Sequence, residues 1–222
     1  MIDEVLSKRR HVIEFESDFK DDLLIKSLLQ KTWKVTPSKN QLMAYTVNVI
    51  GTDQREIKEA VYDICTQNER DVNDDLYVKL QNDKHIINEN LLCLLTAPYL
   101  LIFTNRLVDT PNKKINGNKE NGVYYEATDP KNFEQSYSTN CIEVGMFAKC
   151  LTGLCLENNL DVSYTKCFSN SPKKWTKTIP FIRTSPIMIM TIGKGKVYKK
   201  PEKYNDEILD KRPDFGKIIN WI

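Results

Sequence analysis

The sequence predicts one domain of the α+β or α/β class, a modest sheet covered by helices. Three short apolar runs have strand character, Met43–Ile50, Tyr99–Thr104 and Ile187–Ile192. Stretches of helical periodicity separate them, which is the pattern of a sheet with helical connections. The 222 residues are 41% hydrophobic and 28% charged, enough apolar material for one sizeable core in an ordinary globular chain.

Taken in order, residues 1–10 read as a short helix, with Asp3 and Glu4 at its positive end and Leu6 turned inward. Asp21–Lys31 places Leu23, Leu24, Leu28 and Leu29 on one helical face, and Pro37 stops that region. In Met43–Ile50, Tyr45, Val47 and Val49 alternate with Ala44, Thr46 and Asn48, then Gly51 ends the run; this is a strand. Gln54–Asn68 is a helix with Ile57, Val61 and Ile64 on one face, and polar Asp71–Leu95 reads as mostly helical. Tyr99–Thr104 follows Pro98 as an unbroken apolar run, a strand buried on both faces. Thr110–Asn121 has the composition of a solvated loop. Thr139–Asn158 is the strongest helix. Ile142, Met146, Cys150, Leu151, Leu154 and Cys155 line one side, and Gly145 and Gly153 allow close backbone approach. Ile187–Ile192 ends at Gly193 as another interior strand, and Asp206–Ile222 forms a C-terminal arm carrying Trp221. No internal repeat is visible, and the length fits one large domain or two small ones.

Charge and cysteine usage narrow the function. A formal net charge of +2, from 32 basic and 30 acidic residues, is not a nucleic-acid-binding balance. The longest apolar runs are too short for a membrane span, and the N-terminus lacks the apolar core of a secretory signal. Six cysteines without a Cys-x-x-Cys pair read as reduced, buried thiols of a cytoplasmic protein, and two histidines make a structural zinc site unexpected. No Gly-x-Gly-x-x-Gly follows a strand, which disfavours a plain dinucleotide-binding dehydrogenase.

Local basic chemistry is the main functional signal. Lys8-Arg9-Arg10-His11 crowds cations that an anion would stabilise. Thr36-Pro37-Ser38-Lys39-Asn40-Gln41 offers a turn with backbone N–H, hydroxyl and amide groups, which suit a phosphate or the polar edge of a planar ring. Together they point to an anionic cofactor held at element ends. The plainer alternatives are a solvated helix end at Arg9-Arg10, a simple chain stop at Pro37-Ser38, surface charge at Lys211-Arg212, packing by Tyr164 and an inert thiol at Cys167.

In sequence order, five segments resemble the nitroreductase family. They are Arg9-Arg10-His11-Val12-Ile13-Glu14-Phe15, Pro37 to Tyr45, Ala97-Pro98-Tyr99-Leu100-Leu101-Ile102-Phe103, the Gly-bearing helix 145–160, and Lys211-Arg212-Pro213. The resemblance implies an α+β fold with a central mixed or antiparallel sheet flanked by helices, in a single domain over residues 1–222 with an arm at about 206–222. It also implies an FMN-dependent oxidoreductase, in which hydride passes from NADH or NADPH through flavin to a small acceptor such as a nitro compound or quinone, in a ping-pong scheme. It makes Arg9, Arg10, Lys211 and Arg212 phosphate ligands and His11 a hydrogen-bond donor. Ser38, Lys39 and Gln41 fall at the ring or ribityl chain, Asn90 falls near the flavin, and Tyr164, Thr165 and Lys166 fall in a loop covering the ring. Lys39 and Tyr164 are the candidates closest to the chemistry, with the Lys39 ammonium stabilising reduced flavin.

The same resemblance implies a homodimer with flavin at the subunit interface, built on helix 139–158 and the Ile218-Ile219-Trp221 tail. The chain departs from the family pattern at Ile13, where a cation is usual, at Lys39 and Met43-Ala44, and in Ser163–Cys167, which lacks Pro-x-Glu-Gly. These departures keep three alternatives open: reductive dehalogenation, flavin breakdown, or flavin binding without catalysis.

Overall fold

The computed structural model describes residues 4–5, 8–38, 43, 45–72, 91–105, 133–166, 168 and 171–198. In chain order the elements are β1 (Val12–Phe15), α1 (Asp22–Val35), β2 (Tyr45–Ile50), α2 (Arg55–Val72), α3 (Cys93–Thr96) and β3 (Tyr99–Asn105). They continue with α4 (Phe133–Glu157), β4 (Asp161–Thr165), α5 (Pro172–Thr178), β5 (Pro186–Gly193) and β6 (Gly195–Tyr198). A four-stranded antiparallel sheet runs β2-β3-β5-β4, and β1 pairs with β6 in a separate antiparallel pair. This is the α+β arrangement with an antiparallel sheet.

The alternation of β3 decides how the layers stack. Tyr99, Leu101 and Phe103 enter one core with Ile25 and Leu28 of α1 and Val144, Phe147 and Leu151 of α4. Leu100 and Ile102 enter the other core with Val61 and Ile64 of α2, Val12 and Phe15 of β1, and Trp175 of α5. Because successive side chains of a strand point to opposite faces, an unbroken apolar run is satisfied only by helices on both sides.

Helix α1 starts where the Asp21 carboxylate accepts the Leu24 N–H at 2.8 Å, a side-chain N-cap. The Tyr99 hydroxyl accepts the Asp21 N–H at 2.8 Å and donates to Asp22 at 2.7 Å, fixing that end to β3. The helix runs to Val35, four residues beyond the predicted end, and stops before Pro37. Gly193 has a tertiary reason to be glycine, since a Cβ there would lie 2.5 Å from the Pro98 ring.

Several expectations change. Residues 1–10 show helix only at Glu4 and Val5 among the described residues. Leu23 is 82% exposed and Ile25 takes its place inside, so the buried face of α1 is rotated from the one predicted. The buried face of α4 is Val144, Phe147, Ala148, Leu151 and Cys155, while Ile142 is 63% exposed. The rotation follows from the aromatic contacts: Phe147 packs edge-on against Tyr45 and Phe103, each at 5.9 Å. A Cβ at Gly145 or Gly153 would touch nothing within 4 Å, so neither glycine marks a close approach. The expected loop at Tyr164 and Thr165 is strand β4, where the two pair with Met190 and Ile189. The loop at 110–121, Cys167 and the arm at 206–222 lie outside the described residues.

Candidate functional site

The predicted residues fall into two groups, one at each edge of the four-stranded sheet. At the β4 edge, the Arg9 guanidinium lies 5.0 Å from the centroid of the Tyr164 ring. The Arg10 guanidinium lies 3.6 Å from that of Tyr198. Each tyrosine is itself anchored. The Tyr164 hydroxyl hydrogen-bonds the Thr152 hydroxyl on α4 and lies 3.4 Å from the Ala148 carbonyl oxygen. The Tyr198 hydroxyl sits 2.9 Å from the Asp161 carboxylate and 2.9 Å from the Gly195 carbonyl oxygen.

Cation–π contacts of this kind contribute about 0.5–1 kcal/mol at exposed positions, enough to orient a side chain. Burial pushes the Tyr164 phenol up, against the Thr152 bond and the Arg9 charge. Burial and then Asp161 push Tyr198 up, against Arg10. Both rings therefore stay neutral shelves at physiological pH. Both arginines are exposed, and among the described residues neither has a carboxylate partner. His11 is half-buried beside them in sequence, Thr165 is half-buried at the end of β4, and Lys166 is exposed just after it.

At the β2 edge the chemistry is different. The Ser38 hydroxyl donates to the Glu143 carboxylate at 2.9 Å and accepts the Met43 N–H at 2.8 Å. Glu143 is a buried carboxyl group on α4, 4% exposed. Met43 has φ of 43°, in the left-handed region that residues with a Cβ rarely adopt. One turn earlier on α4, buried Asn140 donates to Asn105 at 3.0 Å, and Asn105 is the register partner of Tyr45. The Tyr45 hydroxyl is buried without a hydrogen-bond partner among the described residues. Burial, and then the Glu143 charge, push its phenol up to about 12.

Helix α4 joins the two groups. Three strand spacings put the edges about 14 Å apart, and the nine residues from Glu143 to Thr152 rise roughly 13 Å. The helix therefore bonds the β2 edge through Glu143 and the β4 edge through Thr152.

Arg9, Arg10 and Tyr164 are brought together, with Thr165 and Lys166 following along β4. Ser38 is on the opposite edge with its hydroxyl donating a hydrogen bond to Glu143. Lys39, Gln41, Asn90, Lys211 and Arg212 lie outside the described residues. Sequence reasoning missed Glu143, Asn140, Asn105 and Thr152. One signal was available: a glutamate within an apolar helical face is unusual unless it has a buried partner.

Elsewhere, a 680 Å³ cleft is lined by Phe15, Glu16, Arg55, Lys58 and Pro98 among others, and none of the predicted residues lines it. Its Lys58, 4% exposed, donates to the Ala97 and Pro98 carbonyl oxygens at 2.7 and 2.9 Å. Burial lowers this amine to about 8, with Asp53 opposing. Among the described residues no group of His, Cys, Asp and Glu could hold a metal ion, and no helix is long and apolar enough to cross a membrane.

No protein-family model and no curated protein matches the chain. Solved structures do. A protein assigned as a nitroreductase, in complex with FMN, from Exiguobacterium sibiricum superposes with a TM-score of 0.62 at 13% identity, covering 100% of this chain and 97% of that one. The chain has the nitroreductase fold. An assigned NAD(P)H:FMN oxidoreductase from Staphylococcus epidermidis shares it with a TM-score of 0.57 at 18% identity, covering 93% of this chain and 95% of that one. Iodotyrosine deiodinase bound to FMN and 3-iodo-L-tyrosine shares it with a TM-score of 0.59 at 16% identity, covering 90% and 92%. The nitroreductase fold here thus carries a sequence far from that of these neighbours. Three of the five segments that suggested the fold have a clear structural place, the cations before β1, the Ala97-Pro98 entry to β3 and the Gly-bearing helix within α4.

Proposed function

We propose that the chain is a flavin oxidoreductase that binds FMN and passes hydride from NADH or NADPH to a small acceptor such as a nitro compound or quinone. The observation that carries this reading is the β4 edge: two exposed guanidinium groups, oriented by tyrosine rings and without carboxylate partners among the described residues. This donor set fits a phosphate, since arginine forks match phosphate oxygens and each charge-assisted hydrogen bond contributes about 1.5–3 kcal/mol. Bound FMN would supply the two-electron chemistry, taking hydride at its N5 and releasing electrons to an acceptor.

In this reading Arg9 and Arg10 hold the phosphate, while the rings of Tyr164 and Tyr198 hold the arginines and exclude water from one side of them. His11, Thr165 and Lys166 add donors at the same edge. Lys39, Gln41, Asn90, Lys211 and Arg212 complete the site by resemblance alone. Ser38, whose hydroxyl donates to Glu143 and accepts the Met43 N–H, lies on the other edge.

Two groups on opposite sheet edges favour a homodimer, with the β4 edge of one copy facing the Ser38 side of the other. Ile142 of α4 and Trp33 of α1, 63% and 57% exposed, supply apolar surface for such a contact.

Titration with FMN followed by visible absorption tests the cofactor, and NADH or NADPH oxidation with a quinone or nitroaromatic tests the activity. Uptake near one FMN per chain with donor oxidation is expected; a chain that takes up no FMN overturns the reading. A second reading is reductive dehalogenation, favoured by the fold shared with iodotyrosine deiodinase and by β4 replacing a covering loop. Iodide release from 3-iodo-L-tyrosine, with no nitro or quinone reduction, would select it.

A further inference from the structure

Resting on the flavin reading, we infer that Asp161 is a positioning residue for the phosphate: its carboxylate holds the Tyr198 hydroxyl and so sets the ring on which the Arg10 guanidinium rests. Three observations carry this. First, the stack is close. The Arg10 guanidinium lies 3.6 Å from the Tyr198 ring centroid, against 5.0 Å for Arg9 and Tyr164. Second, one acid holds the far end of the ring. The Tyr198 hydroxyl lies 2.9 Å from Asp161 Oδ2 and 2.9 Å from the Gly195 carbonyl oxygen, and the same Oδ2 accepts the Gly195 N–H at 3.1 Å. A hydroxyl has one proton to give, and a carboxylate is the stronger acceptor. Third, a glycine makes room for the ring. A Cβ at Gly195 would lie 2.5 Å from the Tyr198 hydroxyl oxygen and 2.7 Å from two carbons of its ring.

Three distant parts of the chain meet at this point. Asp161 opens β4, Gly195 and Tyr198 begin and end β6, and Arg10 lies two residues before Val12, the register partner of Tyr198 in β1. Asp161 bonds the phenol rather than the guanidinium, and no ion pair joins it to Arg10. The difference has a chemical consequence. A carboxylate paired directly with Arg10 would occupy the donors that a phosphate needs. Bonded to the phenol, it fixes the ring and polarises it toward greater electron density, which strengthens the attraction of the ring face for a cation. Tyr198 thus relays the acid to Arg10 and leaves the guanidinium fork to the anion.

Wild type is compared with Asp161→Ala, Asp161→Asn, Tyr198→Phe and Tyr198→Leu in thermal melting and in titrations with FMN and with riboflavin, which lacks the phosphate. The NMR signal of the Arg10 Nε–H, shifted upfield by a ring stacked against it, follows the stack itself. Asp161→Ala and Tyr198→Leu are expected to weaken FMN binding by about tenfold and to leave riboflavin binding unchanged. Asp161→Asn keeps an oxygen acceptor for the phenol and should restore most of the FMN affinity. Tyr198→Phe keeps the ring without its bond to Asp161 and should fall between wild type and Tyr198→Leu. The upfield shift of the Arg10 signal should vanish in Tyr198→Leu and shrink in Asp161→Ala. Unchanged FMN affinity in Asp161→Ala overturns the inference, as does an Arg10 signal that Asp161→Ala leaves where it is in wild type. Equal losses of FMN and riboflavin affinity with a lower melting temperature also overturn it, since that pattern is structural. A wild-type chain that takes up neither flavin overturns the flavin reading instead, and the Arg10 signal then decides by itself whether Asp161 sets the stack.

Discussion

The two edges of the sheet solve opposite problems. At the β4 edge, cations face outward on neutral aromatic shelves, with no carboxylate partner among the described residues. At the β2 edge, the buried Glu143 carboxyl group accepts from the Ser38 hydroxyl, which in turn accepts the Met43 N–H. The difference teaches that exposed cations and buried carboxyl groups have different uses. The first leave hydrogen-bond donors ready for an anion, and the second hold a distant hydroxyl at a cost in desolvation.

The largest expected effect falls on the β4 edge. Replacing Arg9 and Arg10 together by alanine should weaken FMN binding by about 3–6 kcal/mol, two charge-assisted contacts. The melting temperature should move little, because neither side chain is buried. Equal losses of affinity and stability would make the arginines structural and dissolve the contrast between the edges.

A smaller effect separates the edges by pH. The Tyr45 phenol is held up to about 12 from the ordinary 10.0, and Tyr99, bonded to Asp22, is also held up to about 12. Acids whose folded pKa is raised keep their stability contribution below pH 10 and lose it as pH rises toward 12. Lys58 has the opposite sign. Its pKa falls from 10.5 to about 8, so the unfolded chain binds the extra proton and stability rises with pH between about 8 and 10.5. Urea unfolding from pH 8 to 12 should therefore show a rise and then a fall. Tyr45→Phe should make the fall shallower, and Lys58→Met should remove the rise. A fall untouched by Tyr45→Phe would mean that the β2-edge phenol is not the buried group described.

The smallest effects come from single hydroxyls. Tyr45→Phe removes a buried hydroxyl without a partner among the described residues and should stabilise the fold by up to about 1 kcal/mol at pH 7. Tyr164→Phe removes a bonded hydroxyl and should cost about 1 kcal/mol, since Thr152 keeps its bond to the Ala148 carbonyl oxygen at 2.7 Å. Chemical denaturation of the two variants checks that their signs differ.

Much of the fold was legible from local pattern. The run Tyr99–Thr104, entered through Pro98, could only be a strand covered on both faces, and it is the interior strand β3. The strands at 45–50 and 186–193 and the helices at 22–35, 55–72 and 133–157 also lie where periodicity put them, with shifted ends. The short elements β1, β4, β6 and α5 were not legible. Four to seven residues carry too little periodicity, and their pairing partners lie far along the chain; Val12 pairs with Tyr198.

The same limit divides the candidate site. The sequence by itself determined the types present: a cation cluster before a buried strand, a Ser-bearing turn after Pro37, and a layered α+β fold. Those are local properties, set by side-chain period, turn chemistry and charge. Only the tertiary structure decided which of them meet. It placed Tyr164 under Arg9, paired the Ser38 hydroxyl with Glu143 across 105 residues, and chose Val144 and Phe147 over Ile142 as the buried face of α4. Those outcomes depend on sheet order and helix rotation, which long-range packing fixes and no short stretch of chain encodes.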